Sequence, residues 1–481
     1  MTLDLKKMIF LGAGIVALVL GIIFSYSFVG LAITLGFGIY ALVRPKNALL
    51  FLFLYFPIRS YLIEFNPALK GIGDAVILFS LLRLVYDYRG NLKALFRFQW
   101  FEFAFFAFLL LGAISALLTG VSIVAIIFQL RAFILLYLVY YIAKRLEITK
   151  EDIAKLLWTT VVVVTIICIH GLIEKLSLRQ LLLPPAWESR SLSPTNRIRI
   201  YGMVGNPNRL AIYLSFAFVL IMYLRKHLAG KWYWAMNVLI VLLFSVWFMT
   251  YSRGTWIAFV IATVLYIALT KNWRILKTLV ISLAIGIILV ALPVNALTNV
   301  VANMEGVAED LARTQYNPEE GSFSERLAGT FDESYVEDSM RAGRLLIIVR
   351  GFEVFFDHPV IGTGFGTYGD SATLSYGSPI YDDYNIERLF YSDNQYIEII
   401  VQTGVIGVIL FAVFLLNMLY LIWKKRSGRN FAPVLLVLLL GAYAAGCYYN
   451  IWENDIFGLF YFAMLGYLLN VNNQTFRISD D

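Results

Sequence analysis

The side chains best suited to binding and catalysis lie in one polar stretch, residues 341–407. Arg341 and Arg344 stand near its beginning, and Asp393 and Asn394 stand near its end. A guanidinium group matches phosphate oxygens with a planar fork of donors, and a carboxylate can take a proton from a hydroxyl group. The stretch therefore predicts a site that combines phosphate binding with general-base catalysis.

A second group of arginine and asparagine side chains lies upstream. Its members are Arg197, Arg199, Asn206, Asn208, Arg209 and Arg253. The two asparagines flank Pro207 and are also typical of a turn and helix cap. Arg253 could instead reach the lipid headgroups. His358 precedes Pro359, so it is a candidate for the site or for a helix end.

The elements that must position these residues are hydrophobic helices. The chain has 481 residues, of which 60% are hydrophobic and 15% charged, against about 25% charged residues in soluble proteins. Continuous apolar runs long enough to cross a bilayer recur throughout the chain, and helices satisfy their backbone groups in lipid. The sequence therefore predicts an all-α polytopic membrane bundle with about 12–14 transmembrane helices.

The apolar runs place fourteen spans along the chain. They cover residues 8–26, 28–43, 48–63, 73–87, 100–118, 121–143, 153–174, 208–224, 232–250, 254–270, 275–294, 396–423, 431–447 and 453–470. The third and fourth are short and interrupted by Pro57 and Gly73, so they could be interfacial. We expect an N-terminal bundle over residues 1–294, an extracytoplasmic loop over 295–395 and C-terminal helices over 396–481.

The basic residues predict the orientation in the membrane. Cytoplasmic loops carry an excess of Lys and Arg, which places both termini in the cytoplasm and the long loop outside. The outer side then holds 13 Arg and 2 Lys, a bias that favours phosphate binding, although arginines could instead pair with acidic loop residues. The net charge of +7 is ordinary for membrane edges and does not indicate nucleic acid.

Three further expectations concern local structure. Residues 341–357 have apolar side chains near helical spacing and predict an amphipathic helix that ends before Pro359. Gly362, Gly364 and Gly366 predict a flexible turn. Cys168 and Cys447 fall in apolar runs and are interpreted as small core residues. The adjacent Asp382 and Asp383 could bind a divalent cation, but a solvated acidic pair is favoured, so no metal and no cofactor is expected.

Four motifs share the predicted outer side of the membrane. The first is residues 205–211, Gly-Asn-Pro-Asn-Arg-Leu-Ala, and the second is residues 252–256, Ser-Arg-Gly-Thr-Trp. The third places Arg344 fourteen residues before His358-Pro359 and Gly-Thr-Gly. The fourth is Asp393-Asn394 followed by Gly404 and Gly407. In this order and spacing they resemble the bacterial O-antigen ligase/polymerase family of membrane glycosyltransferases, over roughly residues 200–415.

The resemblance implies a fold of the GT-C type and glycosyl transfer from an undecaprenyl-pyrophosphate-linked glycan to a glycan acceptor outside the bacterial cytoplasmic membrane, without nucleotide or metal. It implies that Arg253 and Arg344 stabilise the leaving pyrophosphate, with Arg209, Arg341, Arg197 and Arg199 as further candidates. The expected partners are the lipid bilayer and other proteins of the same polysaccharide pathway. No nucleic-acid partner is expected.

Two departures from the family pattern affect the predicted reaction. Family ligases carry His at the position of Asp393, and the third motif commonly has Trp where this chain has Ile348. Asp393 is the predicted base, with helix capping as its alternative role and Glu398 as the alternative base. We expect a polymerase of lipid-linked repeat units. The alternatives are a ligase that transfers a finished glycan and a flippase for lipid-linked oligosaccharides.

Overall fold

The computed structural model describes residues 8–304, 343–386, 389–427 and 431–470. Within these ranges the chain is helical and contains no β-strand. The helices are α1 (Ile9–Ile23), α2 (Ser27–Val43), α3 (Pro45–Phe65), α4 (Ile72–Asp87), α5 (Leu92–Leu95), α6 (Trp100–Leu118), α7 (Ile123–Ala143), α8 (Lys150–Leu176), α9 (Pro185–Glu188), α10 (Pro194–Arg197), α11 (Pro207–Lys226), α12 (Gly230–Met249), α13 (Arg253–Thr270), α14 (Trp273–Gly286), α15 (Leu292–Ala302), α16 (Arg344–Asp357), α17 (Ser371–Tyr376), α18 (Gln395–Lys425), α19 (Ala432–Ala445) and α20 (Asp455–Leu469).

The predicted polytopic helical fold is confirmed. In the described part of the chain, nine helical segments are long and apolar enough to cross a membrane, and four shorter apolar helices accompany them. Every one of the fourteen predicted spans overlaps a helix. The predicted amphipathic helix is also present as α16, which ends at Asp357.

Two spans differ in detail from the sequence pattern. Pro57 lies inside α3 and is buried, yet α3 continues for 21 residues, because neighbouring helices can compensate for the missing N–H of a proline. The span predicted at residues 275–294 extends to Ala302 through a π-helical segment, Ile287–Ala291. The wider π turn lies just before Pro293, whose ring cannot accept a regular preceding turn. Residue 294 therefore lies within a helix and does not end one.

The described residues form two compact units. The first contains those within Met1–Tyr86, Leu146–Thr255 and Asn272–Thr330. In this unit the buried Asn66 donates from Nδ2 to the carbonyl oxygen of Gly21 at 3.0 Å, and its Oδ1 caps the 3₁₀ turn Pro67–Gly71. The side chain of Asn66 thus pairs with backbone groups at two helix ends, and such groups need partners in an apolar environment.

The second unit contains the described residues within Asp87–Arg145, Trp256–Lys271 and Phe331–Asp481. In this unit α18 packs on α6, and α20 packs on α7. Phe108 of α6 lies at the centre of an aromatic cluster, 5.5 Å from the ring of Phe365 and 5.1 Å from that of Phe411. The polar segment that contains Phe365, which is 1% exposed, is therefore packed against these helices.

Candidate functional site

In the first unit, a hydrogen-bond network joins the first two sequence motifs. Asn208 Oδ1 accepts from Arg199 Nη2 at 2.6 Å and from Ser252 Oγ at 3.0 Å. The Nε–H of Arg199 donates to the carbonyl oxygen of Thr250 at 2.8 Å. Arg199, Asn208 and Ser252 therefore lie together although more than 40 residues separate the ends of the network. The motifs at residues 205–211 and 252–256 are parts of one cluster.

The loop that carries Arg199 is anchored by a buried carboxylate. Glu174 is 1% exposed and accepts from the backbone N–H groups of Tyr201 at 3.1 Å and Gly202 at 2.7 Å. Arg179 is its ion-pair partner. The fixed loop brings the guanidinium group of Arg199 to Asn208 as a result. Sequence reasoning missed Glu174, because a single acidic residue near the end of a span carries no spacing signal.

The other predicted residues of this unit hold local positions. Asn206 is the N-cap of α11 and accepts from the backbone N–H groups of Asn208 and Arg209. Arg197 donates from Nε to the carbonyl oxygen of Leu192 at 3.2 Å. Arg253 is the first residue of α13 and is half-buried. The capping interpretation is thus confirmed for Asn206, whereas Asn208 uses its side chain to join the two motifs.

In the second unit, an ion pair joins the third and fourth motifs. Arg344 Nη2 lies 3.1 Å from Asp393 Oδ2, and both side chains are about half exposed, at 47% and 40%. Arg344 is the first residue of α16. The structure therefore brings the predicted phosphate-binding group and the predicted base into direct contact at a solvent-accessible position. Arg341 lies outside the described residues.

Helix capping at the start of α18 belongs to Asn394. Its Oδ1 accepts from the backbone N–H groups of Tyr396 at 3.1 Å and Ile397 at 3.2 Å. Asp393 precedes the cap, and its backbone has a φ of +47°. Few residues other than glycine adopt this left-handed conformation, although Asp and Asn do so more readily than most. Asp393 is therefore free of the capping role that was its alternative interpretation.

The glycines of the third and fourth motifs form a packed joint. Gly404 has a φ of +58° and interrupts α18. Thr363 and Gly364 donate their backbone N–H groups to the carbonyl oxygens of Val401 at 3.0 Å and Gln402 at 2.7 Å. A Cβ at Gly364 would lie 1.9 Å from a backbone nitrogen of α6. The flexible turn predicted for this glycine segment is wrong, because the segment is buried against α6 and α18.

Beneath the Asp393–Asn394 dyad lie three buried carboxyl groups, those of Asp370, Glu398 and Glu453. Asp370 accepts from the backbone N–H groups of Gly366 at 2.6 Å and Thr373 at 2.8 Å. Burial, followed by the negative charge of Glu453, raises the pKa of Asp370 to about 6. Sequence reasoning considered only Glu398 of the three, because acidic residues spread over 84 positions show no common spacing.

The remaining predicted residues lie outside such clusters. His358 is exposed at the C-terminal end of α16, which confirms its helix-end interpretation. Asp382 and Asp383 are exposed, and no group of three or more His, Cys, Asp or Glu side chains suited to a metal ion occurs in the described ranges. Cys168 is buried as predicted, but the prediction for Cys447 is wrong, since it is exposed. It follows α19 in a turn, beyond the packed part of that helix.

These sites fall largely within one segment that resembles known proteins. Residues 238–412 match the family model described as O-antigen ligase. The match supports an O-antigen ligase/polymerase family membrane protein and confirms the resemblance predicted from the motifs. No curated protein matches the chain.

The matched segment contains three of the four motifs. It includes Arg253, the Arg344–Asp393 pair and the glycine joint, and it begins after the motif at residues 205–211. It supports glycosyl transfer of the O-antigen ligase/polymerase type in general, on a lipid-linked glycan in a membrane. The hydrogen-bonded network around Asn208 belongs to the first unit and lies partly outside the matched segment.

Proposed function

We propose that the protein polymerises repeat units of a cell-surface polysaccharide by transfer from an undecaprenyl-pyrophosphate-linked glycan outside the cytoplasmic membrane. The observation that carries this proposal is the contact of 3.1 Å between Arg344 and Asp393. In this contact a guanidinium group, whose donors match phosphate oxygens, lies beside a carboxylate, a group suited to accept a proton. Both lie in the segment that matches the O-antigen ligase family model.

In the proposed reaction Asp393 acts on the acceptor and Arg344 acts on the donor. The oxygen of the acceptor hydroxyl attacks the anomeric carbon of the donor glycan, and its proton passes to the carboxylate of Asp393. The bond between that carbon and the pyrophosphate oxygen breaks, and undecaprenyl pyrophosphate leaves with the bonding electrons. Arg344 stabilises the negative charge that develops on the leaving group, where a charge-assisted hydrogen bond strengthens in the transition state. Arg253 is proposed separately to bind the pyrophosphate, because it lies in the motif at residues 252–256.

The preference for polymerisation depends on the carboxylate at position 393. Neutral imidazole takes a proton near pH 7 without special surroundings, and the resemblance implies His at this position in ligases. An aspartate in its place indicates a different acceptor and pocket. Transfer of a finished glycan to a lipid or wall component is the second candidate, and the description of the matching family favours it.

The activity assay uses purified protein and lipid-linked repeat units as the only glycan. Elongation gives a ladder of longer glycans on a gel and supports the polymerase. Transfer only to an added acceptor without polyprenyl identifies the ligase and refutes polymerisation. Movement across liposomes without any new glycosidic bond identifies a flippase and refutes glycosyl transfer.

The proposed orientation has a separate test by cysteine labelling. Ser375 of α17 is exposed and is suited to replacement by cysteine in a Cys447→Ser background, because the native Cys447 is exposed too. With residue 375 outside, an impermeant thiol reagent labels intact cells. Labelling that requires permeabilised cells would refute the extracytoplasmic site.

A further inference from the structure

The side chain of Asn450 holds both neighbours of Asp393. Asn450 lies between α19 and the 3₁₀ turn Ile451–Glu453 and is 3% exposed. Its Oδ1 accepts from Ser392 Oγ at 2.8 Å and from the backbone N–H of Asn394 at 3.1 Å. One buried oxygen atom thus binds the residue before Asp393 and the residue after it.

The amide nitrogen of Asn450 is fixed in turn. Its Nδ2 donates to the carbonyl oxygen of Gly369 at 3.2 Å and to a carboxylate oxygen of Glu398. The backbone N–H of Ser392 donates to the same Gly369 oxygen at 2.8 Å. The amide of Asn450 therefore makes four hydrogen bonds, two through each polar atom, and cannot rotate without breaking them.

The conformation of Asp393 needs such support. Its φ of +47° lies in a strained region for a residue with a side chain. Its ion pair with Arg344 is about half exposed, and pairs of this kind contribute only about 0–1 kcal/mol. The buried hydrogen bonds of Asn450 are consequently the stronger constraint on where the carboxylate of Asp393 stands.

We propose that Asn450 is a positioning residue for glycosyl transfer, which fixes Asp393 through Ser392 and Asn394. This role rests on the proposed function of Asp393 as the base. Asn450 lies beyond the segment at residues 238–412 that matches the family model. It would thus extend the catalytic apparatus into the C-terminal helices of this chain.

The test compares Asn450→Ala with Asn454→Ala. Asn454 is a matched control because it is also buried, and its Oδ1 caps α20 by accepting from the N–H of Phe457 at 2.9 Å. Both variants lose a buried asparagine of the same segment, but only Asn450 contacts the neighbours of Asp393. The measurements are kcat and KM for glycan transfer by the full-length protein, donor binding, and the temperature of unfolding in detergent.

We expect Asn450→Ala to lower kcat by about tenfold or more relative to Asn454→Ala, since a small displacement of a reacting group has a large kinetic effect. KM and donor binding should stay within about twofold of the wild type, because the base does not bind the donor in the ground state. Equal kcat values in the two variants would overturn the positioning role.

Asn450→Asp provides a second, pH-dependent test. The aspartate keeps an acceptor for Ser392 and Asn394, but its ionised form cannot donate to Gly369 and repels the carboxylate of Glu398. Protonation restores a donor, so the activity of Asn450→Asp relative to the wild type should rise as the pH falls, whereas that of Asn450→Ala should stay constant. A ratio for Asn450→Asp that does not change with pH would overturn the role even if Asn450→Ala does not fold.

The outcomes separate this inference from the proposed function. A wild-type protein that transfers no glycan to any acceptor refutes glycosyl transfer and the positioning role together. An active wild type with an unimpaired Asn450→Ala variant refutes only the role of Asn450. An inactive Asp393→Asn protein together with a slowed Asn450→Ala protein supports both.

Discussion

Replacement of Asp393 by asparagine separates a catalytic role from a structural one. Its structural contribution is small, since the ion pair with Arg344 is about half exposed and Asn394 supplies the cap of α18. Asparagine also tolerates the φ of +47° about as well as aspartate. We therefore expect Asp393→Asn to change the free energy of unfolding by less than about 1 kcal/mol.

The expected effect on turnover is much larger. A general base contributes about 10²–10⁴ in rate, which corresponds to about 3–5 kcal/mol in the activation barrier. Asparagine cannot take the hydroxyl proton, while Arg344 remains available to the pyrophosphate. Asp393→Asn should therefore abolish elongation and retain donor binding.

The assay combines elongation of lipid-linked repeats with thermal unfolding in detergent. Asp357→Asn is the control, because Asp357 is an exposed carboxylate that accepts from Tyr384 Oη at 2.9 Å. It should retain elongation. A folded Asp393→Asn protein with wild-type elongation would refute the base assignment, and equal loss in both variants would show that the effect is not specific to position 393.

Three further substitutions or conditions test other parts of the reasoning. Arg344→Lys keeps the charge but loses the planar fork of donors, so turnover should fall at least about tenfold, which is about 1.4 kcal/mol in the activation barrier. Arg350→Lys on the same helix is the control and should leave turnover nearly unchanged, because the Arg350 guanidinium pairs with a neighbouring glutamate. Similar kinetics in the two variants would exclude a role for the planar fork of Arg344. Gly404→Ala should lower the free energy of unfolding by about 2–5 kcal/mol, because its φ is +58° and a Cβ there would lie 2.6 Å from a backbone carbonyl. Gly36→Ala is the control: a Cβ at Gly36 would meet open space, so the unfolding temperature should stay almost unchanged or rise. Burial raises the pKa of Asp370 from 3.8 to about 6, so between these values the folded state holds a proton that the unfolded state releases. This group should therefore lower the free energy of unfolding by about 2 kcal/mol as the pH rises from 4 to 6. Unfolding curves of the wild type and Asp370→Asn across that range should diverge, and parallel curves would contradict the raised pKa.

The sequence alone predicts the class of fold. Uninterrupted apolar runs can satisfy their backbone groups in lipid as helices, and each predicted span overlaps a helix of the structure. It also determined α16, since apolar residues at helical spacing followed by Pro359 leave little alternative. Local interactions account for both, so the residues of the segment itself were sufficient.

Motif spacing selected the candidate site residues but left their contacts open. It placed Arg344 and Asp393 in two motifs 49 residues apart, and the structure joins them in an ion pair. It left Asp393 as either base or cap, and the structure assigns the cap to Asn394. Neighbouring residues of one turn have the same local propensities, so only the backbone geometry decides which of them caps the helix.

Packing between distant segments, which local sequence does not reveal, holds residues 362–366 in place. In the sequence, the glycines at 362 and 364 suggest a flexible backbone. In the structure, their lack of a Cβ allows the backbone to contact α6 and α18. Asn450 follows the dyad by more than 50 residues, and a lone asparagine near a helix end resembles any other cap. Its role depends on which backbone atoms lie around its amide, and these are brought together by packing between distant segments, which residue spacing along the chain does not specify.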